Sequence, residues 1–175
     1  MLQIILIILG SIIAIVLLAA LVMPNKYSII SSIEINRPKE DVFNYIKYLK
    51  NQENYSKWVM ADPNVKLVYT GTDGTVGFKA AWTSEMKNVG VGEQEITQIN
   101  EGVGYHATIR FEKPFKGESF ATVTVENVSN NKSKIITVFN TSNPFPMNAI
   151  APLIKNMLLK DMDENSAKMK SILEK

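Results

Sequence analysis

The feature that most constrains this chain is an apolar run near its N-terminus. Residues 4–23 read IILIILGSIIAIVLLAALVM and contain no charged side chain. At a rise of ~1.5 Å per residue, a helix of this length spans roughly 30 Å, which is the thickness of the hydrocarbon core of a bilayer. The run therefore predicts one transmembrane helix, and we expect residues 1–25 to form an N-terminal anchor in the cell membrane.

Three other interpretations of this run compete with an uncleaved anchor. A cleaved signal peptide normally has basic residues before a shorter apolar core and small residues at the cleavage site. Here no basic residue precedes the run, which ends in Leu21-Val22-Met23. A helix buried in a soluble core is normally shorter or amphipathic, and a lipoprotein anchor needs a cysteine, which the chain lacks. The uncleaved, single-pass anchor is the interpretation that these observations favour.

Basic residues indicate which side of the membrane the remaining chain occupies. Lys26, Arg37 and Lys39 all follow the apolar run, and none precedes it. Because basic residues flanking a span tend to stay in the cytoplasm, we expect residues 26–175 to form a cytoplasmic domain.

Charge and composition exclude several classes of function for that domain. The net charge is +2, from 19 basic and 17 acidic residues, and no basic cluster indicates a nucleic-acid partner. With no cysteine and one histidine, disulfides, thiolate metal sites and multi-histidine metal sites are excluded. No phosphate-binding glycine loop or nucleophile elbow appears either. We therefore assign no catalytic residue, metal or cofactor.

Periodicity predicts an α+β fold for residues 26–175. Tyr27 to Asn36 alternates apolar and polar side chains, as a half-buried strand does, and Pro38 then opens a helix. A second short helix is expected around residues 53–59. Six further strands are expected around residues 65–70, 76–85, 89–99, 103–112, 119–127 and 134–141, before a long helix from about residue 147 to 173. Short connections favour a curved antiparallel sheet of about seven strands, wrapped on the long helix.

This order of elements, with the residues that occupy it, resembles the SRPBCC (START-like, helix-grip) superfamily. More narrowly, it resembles the polyketide cyclase/dehydrase and lipid-transport family, including its membrane-anchored bacterial members. The residues that carry the resemblance are Ser32–Phe43, Trp58, Asp62-Pro63, Tyr69–Gly71, Gly77, Trp82, Gly92–Ile96 and the terminal helix. One segment departs from the pattern, because relatives often show Trp-Ser-Pro-Trp where this chain has Tyr55-Ser56-Lys57-Trp58.

The resemblance implies an apolar cavity between the sheet and the long helix. It therefore implies that the domain binds a hydrophobic small molecule or a lipid. The same fold hosts binders, enzymes and co-chaperones, so it does not decide among them. Two alternatives stay open: an enzyme of the polyketide cyclase/aromatase type, and a membrane-tethered module that contacts an unknown protein partner.

Candidate ligand-binding residues follow from the inward faces of the predicted elements. Alternation turns Phe78, Trp82, Tyr105 and Phe111 inward, where they either fill a core or line a pocket. The full candidate set is Trp58, Phe78, Trp82, Tyr105, Ile109, Phe111, Ile154 and Met157. His106 and the pair Glu93 and Glu95 are of residue types that perform acid–base chemistry, but their strand parity favours the solvated outer face of the sheet.

Overall fold

The N-terminal apolar run forms one helix in the computed structural model, which describes all residues from Met1 to Lys175. Helix α1 (Leu2–Val22) is long and apolar enough to cross a membrane, and Ala20 is its one buried residue. Only residues 23–25 separate α1 from strand β1 (Lys26–Ile35). The anchor candidate therefore projects from the domain with almost no linker.

The rest of the chain builds one sheet and four helical elements around it. After β1 come helix α2 (Lys39–Ile46) and a 3-10 turn (Leu49–Asn54). Six strands follow: β2 (Lys66–Thr70), β3 (Lys79–Thr83), β4 (Val91–Asn100), β5 (Gly104–Lys113), β6 (Gly117–Ser129) and β7 (Lys132–Ser142). The chain closes with a second 3-10 turn (Met147–Ile150) and helix α3 (Ala151–Leu173).

All seven strands form a single antiparallel sheet in the order β1-β7-β6-β5-β4-β3-β2. Every neighbouring pair except β1 and β7 is also consecutive in sequence, so the sheet is a meander that β1 joins at one edge. The predicted α+β helix-grip fold, with an apolar helix in front of it, is confirmed.

Strand register defines two ends of this sheet. Lys26 pairs with Ser142 at one edge, and Thr83 pairs with Val91 towards the other, so these residues share one end. The C-terminus of α1 and the start of α3 lie there too, and we call it the anchor end. The opposite end, called the far end, carries α2, the 3-10 turn at Leu49–Asn54 and the β4–β5 and β6–β7 turns.

Side-chain and backbone hydrogen bonds hold α1 against the anchor end. The Asn148 side-chain amide donates to the carbonyl oxygens of Ala20 at 2.7 Å and Met23 at 2.8 Å. The Asn143 N–H donates to the carbonyl of Asn25 at 2.9 Å. The last carbonyls of a helix have no partner within the helix, so Asn148 supplies one and fixes where α1 leaves the domain.

Hydrogen bonds also tie the C-terminal half of α3 to β1. The buried Ser31 hydroxyl donates to Asp163 Oδ1 at 2.6 Å, and Arg37 Nε donates to the Leu173 carbonyl at 2.5 Å. The Asn36 N–H donates to Glu174 Oε1 at 2.6 Å. This half of α3 is therefore held firmly over the sheet.

Two predicted helix boundaries were wrong. The second short helix is a 3-10 turn at Leu49–Asn54 rather than a helix at 53–59, and Asp73 accepts hydrogen bonds from the first two N–H groups of that turn. The long helix begins at Ala151 rather than at 147. Pro152 explains the difference, because proline fits the first helical turn and breaks a helix interior.

Candidate ligand-binding site

A cavity of about 520 Å³ lies between the concave face of the sheet and α3. Of the 32 residues that line it, 22 are hydrophobic. Residues of α2 and the first 3-10 turn close it at the far end, where Ile46 and Leu49 are both buried and contribute to its lining. The lining includes exposed side chains at the anchor end, Asn88 and Met157, and along the loop before β2, Lys57, Trp58 and Ala61, so the cavity reaches the surface along this border. Its size is within the usual range for sites that bind small molecules.

Six of the eight candidate residues line this cavity. They are Trp58, Trp82, Tyr105, Ile109, Phe111 and Met157. Contact with a ligand stays a prediction for each of them, since the placement shows only which space they face.

The other two candidates, Phe78 and Ile154, lie outside the lining. Phe78 is 1% exposed and stacks on Tyr69 in the closed core, with 5.9 Å between ring centroids. It shares the inward face with Trp82, but it lies at the far end, where other side chains cover the sheet. Ile154 is half-buried near the start of α3, one turn before Leu158, which does reach the cavity.

The lining also contains residues outside the candidate set. Leu158, Met162 and Met169 belong to the apolar stripe of α3, so their spacing already indicated an inward position. Ala121 and Phe139 belong to β6 and β7, and their alternation could have identified them. Tyr55 and Val89 lie in loops, where no periodicity exists to reveal an inward side chain.

An aromatic wall lines the cavity near the anchor end. Trp82 meets Phe111 edge to face, with 5.9 Å between ring centroids, and its Nε1–H donates to the carbonyl of Val89 at 3.2 Å. A Cβ atom on Gly92 would approach the indole to 2.5 Å, so glycine there makes room for the ring. Because the indole N–H already has a partner, Trp82 offers a ligand an apolar surface rather than a hydrogen-bond donor.

Neutral polar groups lie deeper in the cavity. Burial raises the pKa of Tyr105 to about 12, and the neighbouring Gln52 side chain opposes part of that shift. Burial also raises the pKa of Tyr55 well above its ordinary value. Both phenols therefore stay protonated at neutral pH and can donate hydrogen bonds to a polar group of a ligand.

Charged side chains hold the rim of the cavity together. Lys57 Nζ contacts Asp161 Oδ1 at 2.7 Å and Glu164 Oε2 at 2.8 Å, so these carboxylates raise the lysine pKa to about 12, Asp161 most strongly. Trp58 Nε1 donates to Asp161 Oδ2 at 3.2 Å, and the Lys57 N–H donates to Asn165 Oδ1 at 2.7 Å. We call this group the rim latch, since it fastens the 55–61 loop to α3.

The acid–base candidates lie on the other face of the sheet. Arg110 Nη1 donates to Glu93 Oε1 at 2.9 Å and to Glu95 Oε2 at 2.6 Å, so the two carboxylates share a cation between them. Arg110 also lowers the pKa of Glu95. His106 Nδ1 lies 3.0 Å from the Thr122 hydroxyl on the same surface. None of these groups lines the cavity.

Comparison with solved structures places the chain among known folds. Norcoclaurine synthase from Thalictrum flavum, in complex with dopamine and hydroxybenzaldehyde, matches with a TM-score of 0.64 at 14% identity, covering 85% of this chain and 86% of the synthase. A protein from Chromobacterium violaceum matches with a TM-score of 0.59 at 13% identity, covering 87% and 99%. One from Arthrobacter aurescens matches with a TM-score of 0.57 at 19% identity, covering 85% of each. At these identities the likeness shows the fold alone.

Sequence comparison identifies the family. No curated protein matches the chain significantly. The family model described as polyketide cyclase/dehydrase and lipid transport matches residues 27–174, which is nearly everything after α1. The chain therefore belongs to the polyketide cyclase/dehydrase and lipid transport family.

Proposed function

We propose that this protein is a membrane-anchored binder of a hydrophobic small molecule or lipid, held between the sheet and α3. The observation that carries the proposal is the apolar cavity of about 520 Å³. A core that served stability alone would be filled, because empty apolar space costs free energy in proportion to its volume. Open space of this size favours an occupant other than the protein's own side chains.

The arrangement of the lining favours an amphipathic ligand. Trp82 and Phe111 provide apolar walls near the mouth, whereas Tyr105, Tyr55 and Gln52 provide hydrogen-bonding groups at greater depth. A molecule with an apolar body and one or a few polar atoms satisfies both regions, since buried phenol and amide groups gain stability from a partner.

The titratable groups of the lining favour binding over catalysis of the cyclase type. Tyrosine phenols are protonated at neutral pH and burial raises the pKa of Tyr55 and Tyr105 further, so neither supplies a general base there. Lys57 and Asp161 at the rim are paired with one another, and Tyr69 donates a hydrogen bond to Glu53. These pairings leave the donors Tyr55 and Tyr105 as the groups best placed to orient a bound molecule.

Helix α1 supports the membrane part of the proposal. The 21-residue helix carries no charge and exposes all of its side chains except those of the half-buried Ala19 and the buried Ala20, as a helix in lipid would. We accordingly assign residues 1–25 to a single-pass anchor and residues 26–175 to the ligand-binding domain. Lys26, Arg37 and Lys39 favour a cytoplasmic position for that domain.

Two experiments test the proposal on the full-length protein. Alkaline carbonate washing of membranes should leave the protein in the pellet. Release of the full-length protein into the supernatant would contradict the anchor assignment. Organic extraction of the detergent-purified protein, followed by mass spectrometry, should recover a co-purified amphipathic molecule that competes with a fluorescent hydrophobic dye. A protein that binds neither dye nor lipid would contradict the binding function.

A further inference from the structure

The anchor end of the sheet carries a cluster of large, exposed apolar side chains. Phe115 is 77% exposed at the tip of the β5–β6 loop, and Leu153 is 72% exposed in the first turn of α3. Phe145 and Met147 are also exposed in the segment between β7 and α3. Isolated apolar side chains on a surface are ordinary, but several large ones gathered at one end indicate a contact surface.

These apolar side chains lie around the point where α1 leaves the domain. Asn148, between Met147 and α3, donates to the last carbonyls of α1, and Asn143 precedes Phe145. The medium that surrounds the exposed part of α1, on the N-terminal side of Ala20, therefore also contacts this surface. If α1 crosses a bilayer, as in the function proposed above, the surface around its exit is the lipid–water interface.

Unpaired lysines accompany the apolar cluster. Lys26 begins β1, Lys113 ends β5, and the β3–β4 and β5–β6 loops contain Lys87 and Lys116. All four lysines are exposed, and none of them forms an ion pair. Apolar side chains bordered by basic ones suit the headgroup region of a leaflet that contains anionic lipids.

Part of the opening of the cavity, beside Asn88 and Met157, lies at this same end. Trp82 and Val89 border the β3–β4 loop, and Met157 lies one turn after Leu153 on α3. Met157 is both exposed and part of the cavity lining, so it connects the surface cluster with the interior.

We propose that the anchor end rests on the leaflet that α1 enters, with Phe115, Phe145 and Leu153 in its interfacial layer. The opening beside Asn88 and Met157 then faces lipid, and an amphipathic ligand passes between leaflet and cavity through it without crossing bulk water. This inference rests on the proposed anchor and ligand, but the position of the domain can be measured without any ligand.

Spin labels measure that position directly. The chain contains no cysteine, so Phe115→Cys, Leu153→Cys and a control at the far end, Val103→Cys, each give one labelled site. The full-length protein is reconstituted into vesicles of phosphatidylcholine and phosphatidylglycerol. Labels at 115 and 153 should be more accessible to lipid-dissolved oxygen than to an aqueous nickel chelate, and the label at 103 should show the reverse. Aqueous accessibility at all three sites would overturn the proposal.

Lipid uptake tests the consequence for ligand transfer. The Phe115→Ser/Leu153→Ser double variant changes exposed residues outside the cavity lining, and Val76→Ser/Val103→Ser is its matched control. Uptake of a fluorescent fatty acid from the surrounding vesicle, followed by energy transfer from tryptophan, should slow several-fold in the first variant alone. Its affinity for the same fatty acid in detergent should be unchanged. Equal uptake rates would overturn transfer through this surface.

The two measurements separate this inference from the proposed function. An unmutated protein that binds no fatty acid contradicts the binding function, while the spin labels still decide how the domain sits. Immersed labels with normal binding but equal uptake rates would retain the contact and overturn its role in transfer.

Discussion

At the far end of the sheet, α2 and the first 3-10 turn cover the apolar face, and 14 buried residues form the larger core there. Eight of them are enclosed on all sides, and the other six also form the inner end of the cavity: Ile46, Leu49, Tyr55, Tyr105, Val123 and Met169. At the anchor end, the same sheet and the same helix α3 enclose a smaller cluster of five buried residues beside an open cavity. Ala107 and Ala121 show the contrast well. They pair across β5 and β6, yet Ala107 belongs to the closed core and Ala121 lines the cavity. Sheet and helix together create inward faces, and the elements that cover them decide which faces are filled.

The largest expected effect comes from removing one aromatic ring on each side of this divide. Phe78→Ala should cost ~3–5 kcal/mol of unfolding free energy, because it empties a fully packed site. Trp82→Ala should cost less than half as much, because part of its ring faces open space, and it should weaken dye binding. Denaturant unfolding in mild detergent measures the first effect and dye titration the second, with the exposed Val68→Ala as the baseline. Equal stability losses would mean that both halves are packed alike.

Alkaline pH tests how dry the deep part of the cavity is. Tyr105 has a folded pKa of about 12 against an unfolded value near 10, so above pH 10 the unfolded chain releases a proton that the fold retains. Stability should therefore fall as pH rises from about 10 to 12, by up to about 3 kcal/mol for this residue. Tyr105→Phe should lose this component, measured by denaturant unfolding across that pH range. An unchanged pH slope in the variant would mean that water already reaches the phenol.

The paired alanines give a sharper test with a smaller effect. Ala107→Leu should cost ~1–3 kcal/mol, as overpacking of a filled core does. Ala121→Leu adds the same atoms on the neighbouring strand, where the cavity can accept them, so its unfolding free energy should be nearly unchanged. Dye affinity should fall for Ala121→Leu and stay constant for Ala107→Leu. A larger stability loss for Ala121→Leu than for Ala107→Leu would contradict the position of the cavity beside β6.

The rim latch should affect the rate at which a ligand leaves the cavity more than it affects the unfolding free energy. Asp161→Ala removes the partner that both Lys57 and Trp58 contact, whereas Glu164→Ala removes only a lysine contact. Exposed ion pairs contribute little, so each change should cost less than about 1 kcal/mol. Stopped-flow dissociation of the dye should accelerate several-fold for Asp161→Ala and little for Glu164→Ala. Similar rates for the two variants would show that the loop stays closed without the latch.

Alternation in the sequence was sufficient to predict the sheet, because its strands are half-buried and neighbouring residues face opposite environments. Tyr27 to Asn36 is the clearest case, with Ile29, Ser31 and Ile35 buried between exposed neighbours. The predicted bounds of the second short helix were wrong because a distant group decides where it begins. The carboxylate of Asp73 fixes the start of the turn at Leu49, 24 residues away in sequence.

The site could be predicted only in part. The alternation of residues along a strand tells which face of the sheet a side chain occupies, but it does not tell which element packs on that face. Phe78 and Trp82 have the same parity and face the same way, with Ala80 between them. One is stacked in the closed core and the other faces a cavity. The difference comes from α2 and the 3-10 turn, whose positions follow from the assembled tertiary structure.

The connection between α1 and β1 limits where the domain can act. Residues 23–25 span at most roughly 10 Å even when extended, and Asn148 holds the helix end in place. In the proposed arrangement, the domain cannot swing across an aqueous gap to a second membrane. It is a stationary depot on one leaflet rather than a shuttle, and any onward delivery requires an acceptor that travels to it.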